Sequence, residues 1–324
     1  MTGINPELSV IVTVVSDTTA QSDTRHLEAC LQALRRQLDA PLLETIVTCD
    51  SHLPGIEQMA QRFPEVRFLC LPNARSARSG PSREHHDQLR WAGLREAKGR
   101  LIAMLEDHDR PDPHWCAALV KEHTGSYAAV GGAIENEVDR PLNWAVYFAD
   151  FGRYQNPVRR GPSACLSDAN VCYKRAALET VPGAWATNYN EVVVHQELLA
   201  QGQTLWLTPD VVVYQHRMNL TVGSQLLERY VWGRSYAATR IANAPAWKRL
   251  TLAVLSPLLP PLLLVRGLGN VLRTRRNRIA FIKALPCFAL LCVAWASGEF
   301  AGYITGRAGA SSEVSPQPAQ PASA

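Results

Sequence analysis

The sequence lacks the short motifs that mark several large classes of protein. Its eight cysteines form no C-x-x-C pair and no Cys/His finger spacing, which excludes the common zinc-finger patterns. There is no G-x-G-x-x-G and no Walker loop, and Gly267-Leu-Gly269 has neither a third glycine nor a preceding strand, which argues against a dinucleotide fold. A net charge of +4, with basic residues scattered through the first half, is too small to indicate nucleic-acid binding.

A secretion signal is missing as well. The first six residues contain no charged n-region and no apolar h-region, so we expect no signal peptide and a catalytic part that stays where it is made. Cys49, Cys70 and Cys172 lie in apolar or strand-like runs, which favours reduced, mostly buried thiols over disulfides. With 47% hydrophobic and 19% charged residues, the composition is that of a globular protein.

The hydrophobic pattern of the first half alternates between strand and helix periods. It predicts strands at 9–15, 44–48, 66–71 and 101–105, and helices at 25–38, 55–62 and 89–97. Such alternation is typical of an α/β fold with a mostly parallel sheet sandwiched by helices. A polar loop is expected at 73–82. Further strands are predicted at 128–134 and 211–214, and further helices at 191–201 and 217–244.

Acidic residues follow two of the predicted strands. Asp50 comes directly after the second strand, and Glu106-Asp107-His108-Asp109 follows the fourth. In open α/β sheets, ligands bind beyond the carboxyl ends of the strands, where the strand order switches. The sequence therefore predicts a ligand site at this edge of the sheet.

Five separated blocks, in order, resemble the family 2 glycosyltransferases of the GT-A fold, from about Leu8 to Arg234. The blocks are 9–15, the strand-end acid in 46–50, 90–99, 105–115, and a last block from Asn190-Glu191 through Gly202 to Thr208-Pro209 and His216. The resemblance implies a GT-A-like, Rossmann-type sheet. It also implies inverting transfer of a sugar from a nucleotide-diphosphate sugar to an acceptor hydroxyl.

The resemblance implies a divalent cation, Mn²⁺ or Mg²⁺, as cofactor. The family's Asp-X-Asp motif corresponds to Glu106-Asp107-His108, so a histidine replaces the second aspartate. Glu106, His108 and the strand-end His216 are the implied metal ligands, and an imidazole in the set suits Mn²⁺ better than Mg²⁺. The alternatives are a solvated turn at 106–108 and a hydrogen-bonded core histidine at 216.

The resemblance also implies the residues that bind the donor and activate the acceptor. Asp50, Arg90 and Asp107 are the implied donor-binding residues, with Asp50 at the nucleotide base and Arg90 near the diphosphate. Glu191, about twelve residues before Gly202, is the implied general base. The alternatives are a turn-capping aspartate at 50, a surface arginine at 90 and, at 191, a first-turn residue favoured by the helix dipole.

The segment around Asp168 and Asn170 resembles the acceptor side of the family's site, although Asn170 also fits a turn. Three positions depart from the family pattern, namely Cys49, His108 and Asn190. These departures leave open a catalytically inactive alternative, a membrane-bound nucleotide-sugar sensor or scaffold.

Two apolar stretches, 250–265 and 279–296, follow the region of resemblance. Prolines and Lys283 interrupt them, and each is short of, or barely equal to, the ~20 residues that span a bilayer. Four arginines lie between them at 273–278. Two full spans would place these arginines outside, against the positive-inside rule, so a hairpin or interfacial pair of helices in the inner leaflet is favoured. Burial in a dimer interface is the remaining alternative.

The sequence thus predicts three regions. They are a GT-A-like domain at 1–245, a C-terminal apolar helical region that associates with the membrane at 246–306, and a disordered tail at 307–324. The expected partners are a nucleotide-sugar donor, a glycan or lipid-linked acceptor, and the inner leaflet at the cytoplasmic face of the inner membrane, with no nucleic acid.

Overall fold

A computed structural model describes residues 5–16, 24–72, 83–241 and 244–307. The predicted loop at 73–82 and, apart from residue 307, the predicted tail at 307–324 lie outside these residues. The strands in the described part of the chain are β1 (Leu8–Thr13), β2 (Leu43–Asp50), β3 (Arg67–Leu71), β4 (Leu101–Glu106), β5 (Asp109–Pro111), β6 (Ala129–Asn136), β7 (Gly161–Pro162), β8 (Val171–Lys174) and β9 (Leu205–Gln215). They form a single mixed sheet.

The α-helices flank this sheet and continue beyond it. They are α1 (Arg25–Arg35), α2 (Ile56–Arg62), α3 (Arg83–Glu96), α4 (Trp115–Glu122), α5 (Pro141–Asp150), α6 (Arg175–Leu178), α7 (Glu191–Ala200), α8 (Val222–Arg240), α9 (Ala246–Leu255), α10 (Leu259–Thr274) and α11 (Arg278–Thr305). Short 3₁₀ turns lie at Gly152–Tyr154, Pro182–Trp185 and Ser256–Leu258.

The sheet has the order β3-β2-β1-β4-β8-β6-β9-β5, with β7 paired to β9. Strands β1 to β4 are parallel, and β8 is antiparallel to both of its neighbours. Thr13 is in register with Thr48 of β2 and Glu106 of β4, so these three strands end at one edge. The predicted α/β class with a mostly parallel sheet is therefore confirmed, and its strand-end acids share the predicted edge.

Both faces of the sheet are covered by helices, which explains the apolar character of its strands. Every residue of β1 is buried, as expected for a parallel strand between two helical layers. Leu27 and Leu31 of α1 pack on one face, where the predicted helical spacing places them. On the other face, α3 approaches closely at Gly93, where a Cβ atom would lie 2.5 Å from Ile11 Cγ2.

Two elements that the hydrophobic pattern did not predict matter for the site. Helix α5 begins with Pro141 in its first turn, a position that needs no backbone N–H. The short strand β8 is almost entirely buried between β4 and β6. The helix expected from 217 begins instead at Val222, because the Thr221 hydroxyl accepts from Ser224 N at 3.2 Å and caps it.

The C-terminal helices are longer than the apolar stretches predicted. Residues Ala246–Thr274 and Arg278–Thr305 are each long and apolar enough to cross a membrane, although one face of each packs within the protein. Helix α11 alone, with 28 residues, extends for ~42 Å. Large apolar side chains are exposed along the outer faces of α9, α10 and α11: Trp247, Leu250, Val254, Leu258, Leu262, Val265, Ile279, Ile282, Leu290, Val293, Phe300 and Ile304.

These helices dock tightly against the sheet domain. Helices α8 and α11 meet at backbone distance, since a Cβ atom on Gly298 would lie 2.1 Å from the carbonyl oxygen of Tyr230. The turn between α10 and α11 is held as well, with Arg276 Nη1 lying 2.9 Å from Glu135 Oε1 at the end of β6. The C-terminal region therefore shares a core with the sheet domain and is not an independent unit.

Candidate active site

The end of β4 turns sharply and folds its acidic cluster back on itself. Asp109, which is fully buried, accepts from the backbone N–H of Glu106 at 2.7 Å through Oδ2. Its other oxygen accepts from Gln215 Nε2 of β9. This turn positions Glu106 and His108 side by side above the strand ends.

Glu106, His108 and Asp109 offer ligand atoms that all lie within 4.8 Å of one another. Glu106 Oε2 lies 3.1 Å from His108 Nε2, without the angles of a hydrogen bond. Burial alone would lower the pKa of His108, but the Asp107 and Glu106 carboxylates raise it to about 10. Burial alone would raise the pKa of Glu106, but His108, Arg90 and Arg217 hold it well below its usual range. Each group of the pair therefore favours the charged form of the other.

Asp107 does not line the cavity of this pair, although its Oδ1 lies 3.6 Å from His108 Nδ1, and it holds the segment after β1. Its Oδ1 accepts from the backbone N–H of Val15 at 2.9 Å and of Ser16 at 3.2 Å, and its Oδ2 accepts from the Ser16 hydroxyl. The structure thus gives Asp107 a positioning contact, and its predicted contact with the donor stays a prediction.

Arg90 is buried, so the alternative interpretation of a surface arginine does not hold. Its Nη2 donates to Glu106 Oε1 at 2.8 Å and lies 3.2 Å from Asp168 Oδ2. Nη1 lies 3.9 Å from Asp87 Oδ1. Burial opposes its charge, but the surrounding carboxylates, including Glu191, raise the pKa of Arg90 above its usual value. Arg90 therefore gathers the acids of three segments into one site.

Glu191 is the first residue of α7 and is almost fully buried. Asn190 caps this helix, since its side-chain oxygen accepts from Val192 N at 3.1 Å and Val193 N at 3.3 Å. The amide nitrogen of Asn190 donates to Asp87 Oδ2 at 3.3 Å. The replacement of an acid by Asn190 thus preserves the placement of Glu191, whose charge the helix N-terminus favours.

Asp50 lies at the end of β2, and only one of its oxygens is used. Oδ1 accepts from His52 N at 2.8 Å, in the capping arrangement of the alternative interpretation. Oδ2 is buried and has no hydrogen-bond partner among the described residues. The carboxylate can therefore cap the turn and still accept a hydrogen bond from a ligand.

His216 lies beside the turn but does not belong to the cluster of Glu106, His108 and Asp109. Its backbone N–H donates to the carbonyl oxygen of His108 at 2.9 Å, while ring Nδ1 lies 2.9 Å from Glu137 Oε2. The cluster that the geometry assembles has Asp109 as its third member. A metal-binding role for His216 stays a prediction.

The two residues predicted on the acceptor side have different surroundings. Asp168 lies at the cavity surface beside Arg90. Asn170 is buried, and its amide donates to the carbonyl oxygens of Ala133 (2.9 Å) and Val211 (3.1 Å) while accepting from Trp115 Nε1 (3.0 Å). In this structure Asn170 therefore braces the sheet and is not presented to a substrate.

One cavity of about 550 Å³ opens over these groups. Its sheet-edge part is formed by Arg90, Glu106, His108, Asp168, Glu191 and Arg217. Its helix-lined part is formed by side chains of α5, α8, α10 and α11 and the turn after α5: Asp150, Arg153, Glu228, Arg229, Trp232, Tyr236, Leu263, Arg266, Phe288, Leu291, Trp295 and Glu299. The size is that of a site for a small molecule.

Comparison with known proteins identifies the origin of this arrangement. The family model described as glycosyl transferase family 2 matches residues 22–181, which include β2 to β4, the acidic turn and Arg90. This part of the chain belongs to glycosyl transferase family 2. A search among curated proteins finds no match.

A solved structure resembles this glycosyltransferase over most of its length. It is the mannosyltransferase PcManGT from Pyrobaculum calidifontis in complex with GDP-Man and Mn²⁺, with 17% identity and a TM-score of 0.52. The match covers 91% of this chain and 87% of that chain. At this identity the likeness is one of fold, and the fold is GT-A. Helices α9 to α11 make up a larger share of the chain than the 9% that the match leaves uncovered. The match therefore extends into these helices.

The candidate site of this glycosyltransferase includes residues that the sequence patterns do not assign. The sequence patterns assign no role to Asp109. Its position in the acidic run after β4 is the feature that could have indicated one. Arg217 follows His216 directly and faces the cavity, where its charge acts on Glu106 and His108. Asp150, Glu228 and Arg229 carried no signal, because no motif links α5 with α8.

Proposed function

We propose that this chain is an inverting, metal-assisted glycosyltransferase that moves a sugar from a nucleotide-diphosphate sugar to an acceptor hydroxyl. The observation that carries this proposal is the opening of Glu191 and of the Glu106–His108 pair onto one cavity. The first is a base at a helix N-terminus, and the second is a cation site at a sheet edge. Sugar transfer needs both, one for the acceptor and one for the leaving group.

Glu191 is the proposed general base. Its carboxylate takes the proton of the acceptor hydroxyl as that oxygen attacks the anomeric carbon of the donor sugar. The new carbon–oxygen bond forms while the bond to the diphosphate oxygen breaks, and the nucleoside diphosphate leaves with the electron pair. Attack opposite the leaving group inverts the anomeric centre.

The residues present fit a divalent cation. Glu106 and Asp109 offer carboxylate oxygens and His108 an imidazole nitrogen, all within 4.8 Å of one another. When bound, the cation would supply positive charge against the diphosphate. A donor set of mixed nitrogen and oxygen favours Mn²⁺ over Mg²⁺, which prefers oxygen ligands.

Asp50 and Arg217 are the proposed donor contacts on either side of this cation site. The buried Oδ2 of Asp50, which has no partner among the described residues, supports a hydrogen bond from an N–H of the nucleotide base. Arg217 is better placed than Arg90 to meet the diphosphate, since carboxylates already surround the Arg90 guanidinium. Arg90 then acts by holding Glu106 and Asp168 in position.

The proposed acceptor is a glycan or a lipid-linked glycan, and the proposed location is the cytoplasmic face of the inner membrane. The exposed apolar faces of α9 to α11 support contact with a bilayer. The turn between α10 and α11 contacts Glu135 of the sheet domain, which favours helices lying in one leaflet over two full spans. The cysteines, five of which are buried, suit a reducing compartment as thiols.

The test is turnover with a panel of nucleotide sugars, with and without Mn²⁺, by the wild type and Glu191→Gln. Removing a general base lowers turnover by about 10²–10⁴-fold, so Glu191→Gln should lose turnover while it still binds nucleotide. Glu197→Gln, an exposed glutamate of the same helix, is the matched control and should keep full activity. Equal activity of Glu191→Gln and the wild type would rule out the proposed base.

The non-catalytic sensor remains the competing hypothesis, and the comparisons do not favour it. It predicts nucleotide binding without turnover for every donor in the panel, with or without Mn²⁺. The same panel therefore separates the two functions.

A further inference from the structure

The helix-lined part of the cavity contains polar atoms that the protein leaves without partners. Arg229 Nε, Glu228 Oε1 and Trp232 Nε1 have no hydrogen-bond partner among the described residues. Arg229 and Glu228 are each more than nine-tenths buried, and all three side chains line the cavity. Buried polar groups in folded proteins are nearly always paired, so unpaired ones facing a cavity indicate a ligand.

The charges around these atoms indicate what kind of ligand fits. The Arg229 guanidinium meets both oxygens of Asp150 at 2.5 Å, so its charge is already matched. Over the helix-lined part, the acids Asp150, Glu228 and Glu299 balance the arginines Arg153, Arg229 and Arg266. A phosphate group would find no excess of positive charge here, whereas a neutral ligand keeps the balance.

The unpaired atoms and the aromatic rings together match a sugar ring. Arg229 Nε and Trp232 Nε1 are donors and Glu228 Oε1 is an acceptor, and a hydroxyl group both donates and accepts. The aromatic side chains of Trp232, Tyr236 and Trp295 line the same part of the cavity, and aromatic rings are suited to pack against the C–H face of a sugar. This combination suits a polyhydroxylated neutral ring.

Apolar side chains that line the same part of the cavity indicate that the sugar is attached to a lipid. Leu263 of α10 and Phe288 and Leu291 of α11 line the cavity. The same two helices expose Leu262 and Ile282 on their outer faces, where 61% and 68% of the side chains are accessible. Helices α10 and α11 therefore present apolar side chains both to the cavity and to the surface, as the lipid of a glycolipid acceptor requires.

We propose that the helix-lined part is the acceptor subsite and binds the neutral sugar ring of a membrane-anchored glycolipid through Glu228, Arg229 and Trp232. The proposal rests on the proposed function, because the ring must present its hydroxyl to Glu191 in the same cavity. It adds a binding site and the chemical class of the acceptor to that function.

The experiment is photolabelling of the full chain with an alkyl glucoside that carries a diazirine, followed by mapping of labelled peptides. Label is expected on α8 and on α11 around Leu291–Glu299, and unlabelled alkyl glucoside should compete. Glu228→Gln keeps the shape of its side chain and removes the charge, whereas Trp232→Phe removes the indole N–H and part of the ring. Each should weaken competition by up to about tenfold, the scale of one hydrogen bond. Donor turnover is not needed for this readout.

Matched controls separate recognition from general effects of mutation. Trp247→Phe changes a tryptophan of α9 that lies outside the cavity and is 70% exposed, and Glu179→Gln changes an exposed glutamate far from α8. Both should label as the wild type does. Each variant is also checked for an unchanged melting temperature, so that loss of labelling is not loss of folding.

Competing ligands identify the chemistry. If a diazirine alkanol without sugar labels the same peptides equally well, or if alkyl phosphate competes better than alkyl glucoside, the sugar subsite is wrong. If soluble methyl glucoside competes as well as the alkyl glucoside, attachment to a lipid is wrong. Failure of donor turnover together with specific labelling would reject the proposed function and leave the sugar subsite standing, so the two failures are distinguishable.

Discussion

The two parts of the cavity differ in how their polar groups are held. In the sheet-edge part, Arg90 contacts Glu106, Asp168 and Asp87, so the acids around this arginine are held in position before any ligand arrives. In the helix-lined part, Glu228 and Arg229 are fixed by Gln225 and Asp150 but still leave atoms unpaired. The contrast is that of a site preorganised for charge and a site with hydrogen bonds left for its ligand.

The largest effect, on turnover, is expected from removing a ligand of the proposed cation site in the sheet-edge part. Glu106→Ala removes one ligand and an Arg90 partner, so Mn²⁺-supported turnover should fall by at least about 100-fold. Mn²⁺ binding, measured by electron paramagnetic resonance, should weaken in parallel. Glu96→Ala, at the exposed end of α3, removes only a surface pair with Arg67 and should change neither quantity. Normal Mn²⁺ binding by Glu106→Ala would contradict the assigned cation site.

This part of the site was also the one that the sequence could predict. Strand runs locate Asp50 and Glu106 at strand ends, and parallel strands in register necessarily bring those ends to one edge. The helix-lined part depends on pairs such as Arg229–Asp150, which are 79 residues apart on two helices. Nothing in the local pattern of either helix specifies the other, so only the folded chain reveals the pair. The partners of Asn170 could not be predicted either. Its residue type indicates a turn or a ligand contact, but its hydrogen-bond partners lie on β6 and β9.

A second effect, on stability and on acceptor transfer, is expected where α8 meets α11. Gly298→Ala places a Cβ atom 2.1 Å from the carbonyl oxygen of Tyr230, so the helices must separate, at a cost of about 1–3 kcal/mol in the free energy of unfolding. Because these helices form the wall of the helix-lined part, transfer to an acceptor should fall more than hydrolysis of the donor.

The matched control for this change lies on the neighbouring helix. A Cβ atom on Gly269 of α10 meets nothing within 4 Å, so Gly269→Ala should stabilise the protein by roughly 0.5–1 kcal/mol through helix propensity. Thermal unfolding of both variants measures the difference. Equal melting temperatures for Gly298→Ala and Gly269→Ala would contradict the close packing of α8 and α11.

A smaller effect, on donor binding, is expected from replacing the arginines that line the two parts of the cavity. Arg217→Ala removes the proposed diphosphate contact and should weaken donor binding by about tenfold, the scale of one charge-assisted hydrogen bond. Arg266→Ala removes an arginine of the helix-lined part and should leave donor binding unchanged. Isothermal titration with the nucleotide at two salt concentrations measures both. The comparison between the two parts would fail if Arg266→Ala weakened donor binding as much as Arg217→Ala.

The last prediction concerns the membrane, and it expects no thiol labelling in intact cells. Arg278 begins α11 beside the turn that Arg276 ties to Glu135, while Cys70 is an exposed thiol of the sheet domain. If the helices lie in one leaflet, an impermeant thiol reagent should label neither Cys70 nor the thiol of Arg278→Cys in intact cells, and both after lysis. Labelling of the introduced thiol alone would mean that α10 and α11 cross the bilayer, which requires the Arg276–Glu135 contact to break. Labelling of both in intact cells would keep the helices in one leaflet but place the sheet domain on the outer face, because the two thiols then share that side.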